Sequence, residues 1–201
     1  AGEVVGLAGL EGSGQRLFMQ ACAGLQKPHR GRILLDGEDI THESYVQFLE
    51  RGIAFVPAAR LEEGMVEGLT IREHFALTQD DLGFFVDWDA ADARARERIE
   101  RYNVVGTTRT AVQELSGGNQ QRTLLALLPD NLQVLILEHP TRGLDLGSER
   151  WVWEQLHIRC RQGSAILFIS TDLDELIDNS DRILVSSGGK VSEPVASTRL
   201  T

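Results

Sequence analysis

The chain has 201 residues, 42% of them hydrophobic and 25% charged, which is enough apolar side chain for about one packed domain and excludes wholesale disorder. Thirty acidic against 20 basic residues give a formal charge of −10, which argues against a general nucleic-acid or anionic-membrane binder, because those need a basic face. Two cysteines, Cys22 and Cys160, are too few for a disulfide framework, and no apolar run approaches the ~20 residues of a membrane span.

The first residues lack the charged-then-apolar layout of a signal peptide and open straight into a strand pattern at 4–8, as expected of a piece of a longer chain. The glycines Gly9, Gly12 and Gly14 follow, and then a helical pattern over about 15–23. Residues 32–35 read as a strand closed by a turn at Asp36-Gly37, 44–50 as a short amphipathic helix and 53–56 as a buried strand. Thr70 with Glu73 forms a capping box that predicts a helix over 71–77. Asp89 and Asp92 are expected to start a longer helix running to about 103. Its apolar stripe is Ala91, Ala95, Ile99 and Tyr102, and its arginine-rich outer face reads as solvated. A Ser-Gly-Gly turn after Leu115 leads into a helix to 128, a strand at 134–137, a helix at 148–161, a strand at 165–169 and a short helix near 173–177. A hairpin through Gly188-Gly189, from 182–185 to a strand near Val191, ends the pattern. Strands alternating with helices predict an α/β fold, read here as one domain over 1–201. Trp88, Trp151 and Trp153 read as packing residues, and the scattered His29, His42, His74 and His157 lack ligand spacing, so no metal site is expected.

Two strings carry chemistry. Gly9-Leu10-Glu11-Gly12-Ser13-Gly14-Gln15-Arg16 has the glycine frame in which backbone N–H groups and a helix N-terminus cradle phosphate. Gln15 stands where that frame has a phosphate-binding lysine, and Arg16 where a hydroxyl would ligate Mg²⁺; a guanidinium has no lone pair to offer a metal. Leu115-Ser116-Gly117-Gly118-Asn119-Gln120-Gln121-Arg122 is a second turn running into a helix, again suited to anion contact. An apolar strand ending Leu137-Glu138-His139-Pro140 and the string Thr141-Arg142-Gly143-Leu144-Asp145 complete the series, with Ile169-Ser170-Thr171-Asp172 further on.

With those strings in that order, the chain resembles the ATP-binding domain of an ABC transporter. More narrowly, it is similar to the second nucleotide-binding domain of the tandem ATPase subunits that drive import of simple sugars and nucleosides. The resemblance implies a P-loop NTPase-type fold with a mainly parallel sheet and a helical subdomain, roughly 65–125, that carries the signature. It places Gly9, Glu11, Gly12, Ser13, Gly14, Gln15 and Arg16 in the phosphate loop, Ser116, Gly117, Gly118 and Asn119 in the signature, and Asp145 in the D-loop. Glu138 takes the place of the Walker B aspartate, His139 that of the catalytic glutamate, and Thr171 that of the switch histidine. Ala58 falls on the Q-loop glutamine, and Arg60 is kept from an Glu-Asp-Arg variant of that loop.

By the same resemblance ATP and Mg²⁺ are the cofactors, with Mg²⁺ in question at this domain's own loop. The partners implied are a second ABC ATPase domain, membrane permease subunits and, indirectly, an extracytoplasmic solute-binding protein. The implied location is the cytoplasm, peripheral on the inner face of the membrane. The departures gather on the phosphate-loop side, which implies a domain that lends its signature to a partner's ATP and turns over little or none alone. The alternatives are a self-sufficient ATPase with Arg16 for the lysine and His139 as base, or an ABC ATPase outside transport; the acidic charge disfavours the latter. Arg16 and Glu138 are expected to meet as a salt bridge in the place of the metal.

Overall fold

The computed structural model describes residues 2–78 and 85–199, which fall into two compact units. The first takes the chain up to Val56, Asp130–Pro140 and the chain from Trp153 onward; the second takes Pro57–Pro129 and Thr141–Val152.

The first unit is built on a seven-stranded sheet. Its parallel strands are β1 (Val4–Gly9), β4 (Ile53–Val56), β5 (Val134–Glu138), β6 (Ala165–Ile169) and β7 (Arg182–Ser187), in the order β4-β5-β6-β1-β7. β1, β4, β5 and β6 are apolar up to their last residues rather than alternating, as strands covered on both faces must be, whereas β7 ends in two serines and exposes Arg182, Val185 and Ser187. Two short antiparallel strands finish the β7 edge, β8 (Lys190–Val191) from the expected hairpin and β9 (Val195–Ala196), too short to read from sequence. Helices α1 (Gln15–Cys22), α2 (Tyr45–Glu50) and α7 (Leu173–Asn179) belong to this unit. A core of Leu7, Met19, Ile40, Phe48, Ile53 and Ile136 joins α1 and α2 to the sheet. A separate small hairpin, β2 (Leu34–Leu35) with β3 (Glu38–Asp39), turns at Asp36-Gly37 as expected.

The second unit is helical: α3 (Ile71–Leu77), α4 (Trp88–Arg101) and α5 (Gly117–Leu127), followed by the start of α6 (Leu146–Arg161), which runs on into the first unit. The capping box at Thr70 and Glu73 is present as read, and Ala91, Ala95 and Tyr102 are buried along α4. Three expectations need correction. The cap of α4 is Asp87, whose carboxylate accepts from the Ala90 N–H at 2.9 Å, while Asp92 pairs with Arg96 at 2.7 Å. The outer face of α4 is not wholly solvated, because Arg94 Nη2 donates to the Phe75 carbonyl at 2.7 Å. Trp88 is 44% exposed beneath the Arg72 guanidinium, so it does not pack as Trp153 does. A π-helical turn at Arg60–Gly64 carries no sequence signal and was not expected.

Candidate functional site

In the first unit the site residues converge because parallel strands bring their carboxyl ends to one edge. Register pairs Glu138 with Ile169, and Leu7 with Ile169, so the ends of β5, β6 and β1 lie side by side. The glycine loop leaves β1 at Gly9 and enters α1 through Gly14, whose φ of 97° needs a residue without a Cβ. Gly12 has φ 83°, and the turn closes by a Ser13 N–H to Leu10 carbonyl bond of 3.0 Å. Ser13 and Ser186 fix the loop to β7 reciprocally: Ser13 Oγ donates to the Ser186 carbonyl at 3.2 Å and Ser186 Oγ to the Ser13 carbonyl at 3.0 Å. Ser186 has no local sequence signal that marks it as a loop anchor, since it lies 173 positions from Ser13.

Gln15 does not reach outward as a lysine there would. It is buried, and its Nε2 lies over Gly9, 2.7 Å from where a Cβ on Gly9 would sit. Arg16 Nε lies 3.2 Å from Glu138 Oε1, with the guanidinium side chain 53% exposed and the carboxylate side chain 4%. The expected ion pair is therefore present. His139 is held in the left-handed region, φ 45°, by its N–H bond to the Ile169 carbonyl at 2.9 Å. Thr171 is exposed just past β6, next to Asp172, which caps α7 through the Asp174 and Glu175 N–H groups. Glu11 is exposed in the loop.

These residues fit a phosphate but not Mg²⁺. Glycines with positive φ turn successive N–H groups into an anion-holding concavity at a helix start. Mg²⁺ would need oxygen ligands in octahedral array, yet the carboxylate has a guanidinium against it and the neighbouring position carries no hydroxyl.

The second unit assembles the other group. Ser116 caps α5, its Oγ accepting from the Asn119 N–H at 3.4 Å and from Asn119 Nδ2 at 2.9 Å. Asn119 Oδ1 accepts from the Val105 N–H at 2.7 Å, tying the end of α4's loop to the turn. A Cβ on Gly118 would stand 2.7 Å from Ser148 Oγ and 3.3 Å from its Cβ, so a larger residue there would have to move Ser148. Asp145 caps α6: Oδ1 accepts from the Gly147 and Ser148 N–H groups at 3.0 Å each, and Oδ2 accepts the Ser148 hydroxyl at 2.7 Å. Those bonds hold the Asp145 carboxyl below the usual carboxylate range.

Arg60 links three segments of this unit. Its Nε donates to Gln121 Oε1 at 2.6 Å and its Nη2 to the Arg142 carbonyl at 2.6 Å. Its Nη1 lies 3.8 Å from where a Cβ on Gly117 would be. Burial lowers the guanidinium pKa from its ordinary value. Gln121, 1% exposed, sits inside the signature string, and nothing local in that string marks it as the partner of Arg60. Ala58 offers only a methyl group at its position.

A sequence profile described as ABC transporter matches residues 1–142. Curated relatives include the nucleoside import ATP-binding protein NupA of Lactococcus lactis subsp. cremoris, 37% identical over 95% of this chain and 39% of that protein. The ribose import ATP-binding protein RbsA of Oceanobacillus iheyensis is 35% identical over 95% of this chain and 40% of its own length. The arabinose import ATP-binding protein AraG of Pectobacterium atrosepticum is 32% identical over 95% and 39%. The chain thus spans about two fifths of the length of these relatives. Among solved structures, a dimeric post-hydrolysis state of an ATP-binding cassette bound to ADP and Pi superposes with a TM-score of 0.80 at 22% identity, over 98% of this chain and 86% of that one. A nucleotide-free cassette from an ABC transporter gives 0.80 at 19% identity, over 99% and 83%. At such identities these two likenesses establish the fold. The profile and the curated relatives carry the rest, and the chain belongs to the ABC transporter family as an ATP-binding domain.

Proposed function

We propose that this chain is the degenerate ATP-binding domain of an importer for simple sugars or nucleosides, and that it lends its signature to an ATP held by a partner domain. The substrate class follows the names of its relatives, which are import ATP-binding proteins for a nucleoside, ribose and arabinose. The observation that carries the reading is the contrast between the two groups. On the phosphate-loop side Arg16 stands on Glu138, and His139 replaces a carboxylate base. Phosphoryl transfer needs charge neutralisation at the phosphates and a positioned water, and these residues are poorly suited to either. On the signature side Ser116, Gly117, Gly118 and Asn119 keep a capped, exposed helix start able to donate to a phosphate.

The partners are a second ABC ATPase domain and membrane permease subunits, with a solute-binding protein outside. The location is the cytoplasmic face of the membrane. Among the described residues no helix is long and apolar enough to cross a membrane, so attachment would run through the permease.

Ser116→Arg in the assembled transporter tests the reading. It puts a bulky cation where the serine caps α5, and ATP-driven transport is expected to be lost while the circular dichroism of the purified chain stays unchanged. Transport that survives overturns the signature role. Steady-state hydrolysis by the chain alone, abolished both by Mg²⁺ removal and by His139→Ala, would instead establish the self-sufficient ATPase.

A further inference from the structure

We propose that Arg16 is a built-in substitute for the divalent cation: the Arg16–Glu138 pair excludes Mg²⁺ from this phosphate loop, so that a nucleotide triphosphate is bound there as the metal-free anion. The proposal rests on the reading of Gly9–Arg16 as a phosphate loop.

The argument begins with the carboxylate. Glu138 ends β5, and its side chain is 4% exposed, so a charge there calls for a cation close by. Arg16 supplies one from the first turn of α1, with Nε 3.2 Å from Oε1. A metal on the same oxygen would sit beside a permanent positive charge that neither deprotonates nor ligates. The guanidinium would have to leave before the ion could enter.

The rest of the loop gives the ion no compensating ligand. The position that would carry a metal-binding hydroxyl is Arg16 itself. The nearest hydroxyl in sequence, on Ser13, is already engaged as a donor to the Ser186 carbonyl at 3.2 Å. Gln15 is folded back over Gly9, its Nε2 2.7 Å from where a Cβ on Gly9 would sit, rather than extended along the loop.

The same arrangement favours a bare polyphosphate. Arg16 remains 53% exposed, so its positive charge reaches the solvent side of the loop while its Nε stays 3.2 Å from Glu138 Oε1. A metal-free triphosphate carries more negative charge than its Mg²⁺ complex and gains more from a cation held in place at a helix start. Divalent ions in solution then compete for the ligand rather than help it bind.

Titrating ¹⁵N-labelled protein with ATP, followed by the amide signals of Gly12 and Gly14, reads occupancy of this loop directly. Two conditions are compared, excess Mg²⁺ and EDTA. The wild type is expected to bind ATP in EDTA at least as tightly as in Mg²⁺. Arg16→Ser removes the cation and restores a hydroxyl beside Glu138, and is expected to acquire a preference for Mg²⁺ of about tenfold in Kd. Arg16→Lys keeps the charge and is expected to behave as the wild type. A wild type that binds about tenfold more tightly with Mg²⁺ overturns the proposal, as does an Arg16→Ser protein that gains no preference. If ATP moves neither amide in wild type or variant, the phosphate-loop reading fails and the proposal with it. A Mg²⁺-dependent shift of both amides refutes only the metal exclusion.

Discussion

The Arg16–Glu138 pair is unequal, and the inequality decides what each substitution does. The carboxylate is buried at the end of a central strand, whereas the guanidinium is half in solvent. Removing the carboxylate charge lets Arg16 turn outward and regain water at little cost. Removing the cation strips a neighbouring charge from a carboxylate that cannot do the same. Arg16→Ala is therefore expected to destabilise the protein by about 1–3 kcal/mol, and Glu138→Gln by about 1 kcal/mol or less. Chemical denaturation of both variants checks the order. Equal losses, or a larger one for Glu138→Gln, would place the main support of Glu138 elsewhere. Arg60 shows the opposite use of the same side chain. Its bonds to Gln121 Oε1 and the Arg142 carbonyl leave the charge in place and spend its donors on neutral acceptors, joining the π-helical turn, α5 and the loop before Asp145.

Among the elements, α3 shows how much local chemistry can settle. Thr70 Oγ1 accepts from the Glu73 N–H, and Glu73 Oε2 accepts the Thr70 N–H at 2.7 Å and its hydroxyl at 2.6 Å. His74 continues the arrangement, with Nδ1 2.8 Å from the Thr70 carbonyl and Nε2 accepting from the Val66 N–H at 2.9 Å. That pattern requires the neutral ring protonated on Nδ1. The incoming chain, the cap and the first turn are thus one bonded unit. Thr70→Ala is expected to cost about 1–2 kcal/mol, a fall in Tm of about 2–8 °C for a protein of this size. Ser44→Ala, in the solvent-exposed box of α2, should cost less. Thermal melts of the two variants compare them directly; an equal effect would mean that the His74 bonds add nothing to the cap at Thr70.

At the scale of the whole molecule, its acid sensitivity follows from where carboxylates are held. Hydrogen bonds from Thr70 hold Glu73 below its ordinary pKa, those from Thr41 do so for Asp39, and that from Thr108, helped by Arg96, does so for Asp92. Each group binds its proton less readily folded than unfolded. Each therefore adds stability that is fully present above the unfolded-state pKa, about 4, and is lost as pH falls through the lower folded-state value. The melting temperature is expected to be flat from neutral pH to about pH 5 and to drop below about pH 4. The formal charge of −10 acts the other way, since protonation relieves repulsion, and that relief is largest at low salt. A melting temperature that rises on going from pH 5 to pH 3 in 0.15 M salt would show that repulsion outweighs the anchored carboxylates.

The order of strands and helices was legible in the chain because it is written in short-range terms: apolar runs of strand length, a capping box at Thr70, and glycines at the turns. The bounds at Ile71–Leu77 and Ala165–Ile169 came out as read for that reason. The α4 cap was misplaced because Asp87, Asp89 and Asp92 are all competent caps, and which one bonds a free N–H depends on where the helix starts in three dimensions. The site was legible as two strings, Gly9–Arg16 and Ser116–Asn119, since each is a contiguous turn and helix start. The pairing of Arg16 with Glu138 could be anticipated only by borrowing the fold, as the two stand 122 positions apart in sequence. What tertiary structure alone decided is the set of contacts between such distant segments: Ser186 anchoring Ser13, Gln15 folded over Gly9, and Arg60 reaching Gln121 and Arg142. Long polar side chains have many rotamers of similar energy, and only the groups that packing brings within about 3 Å select among them.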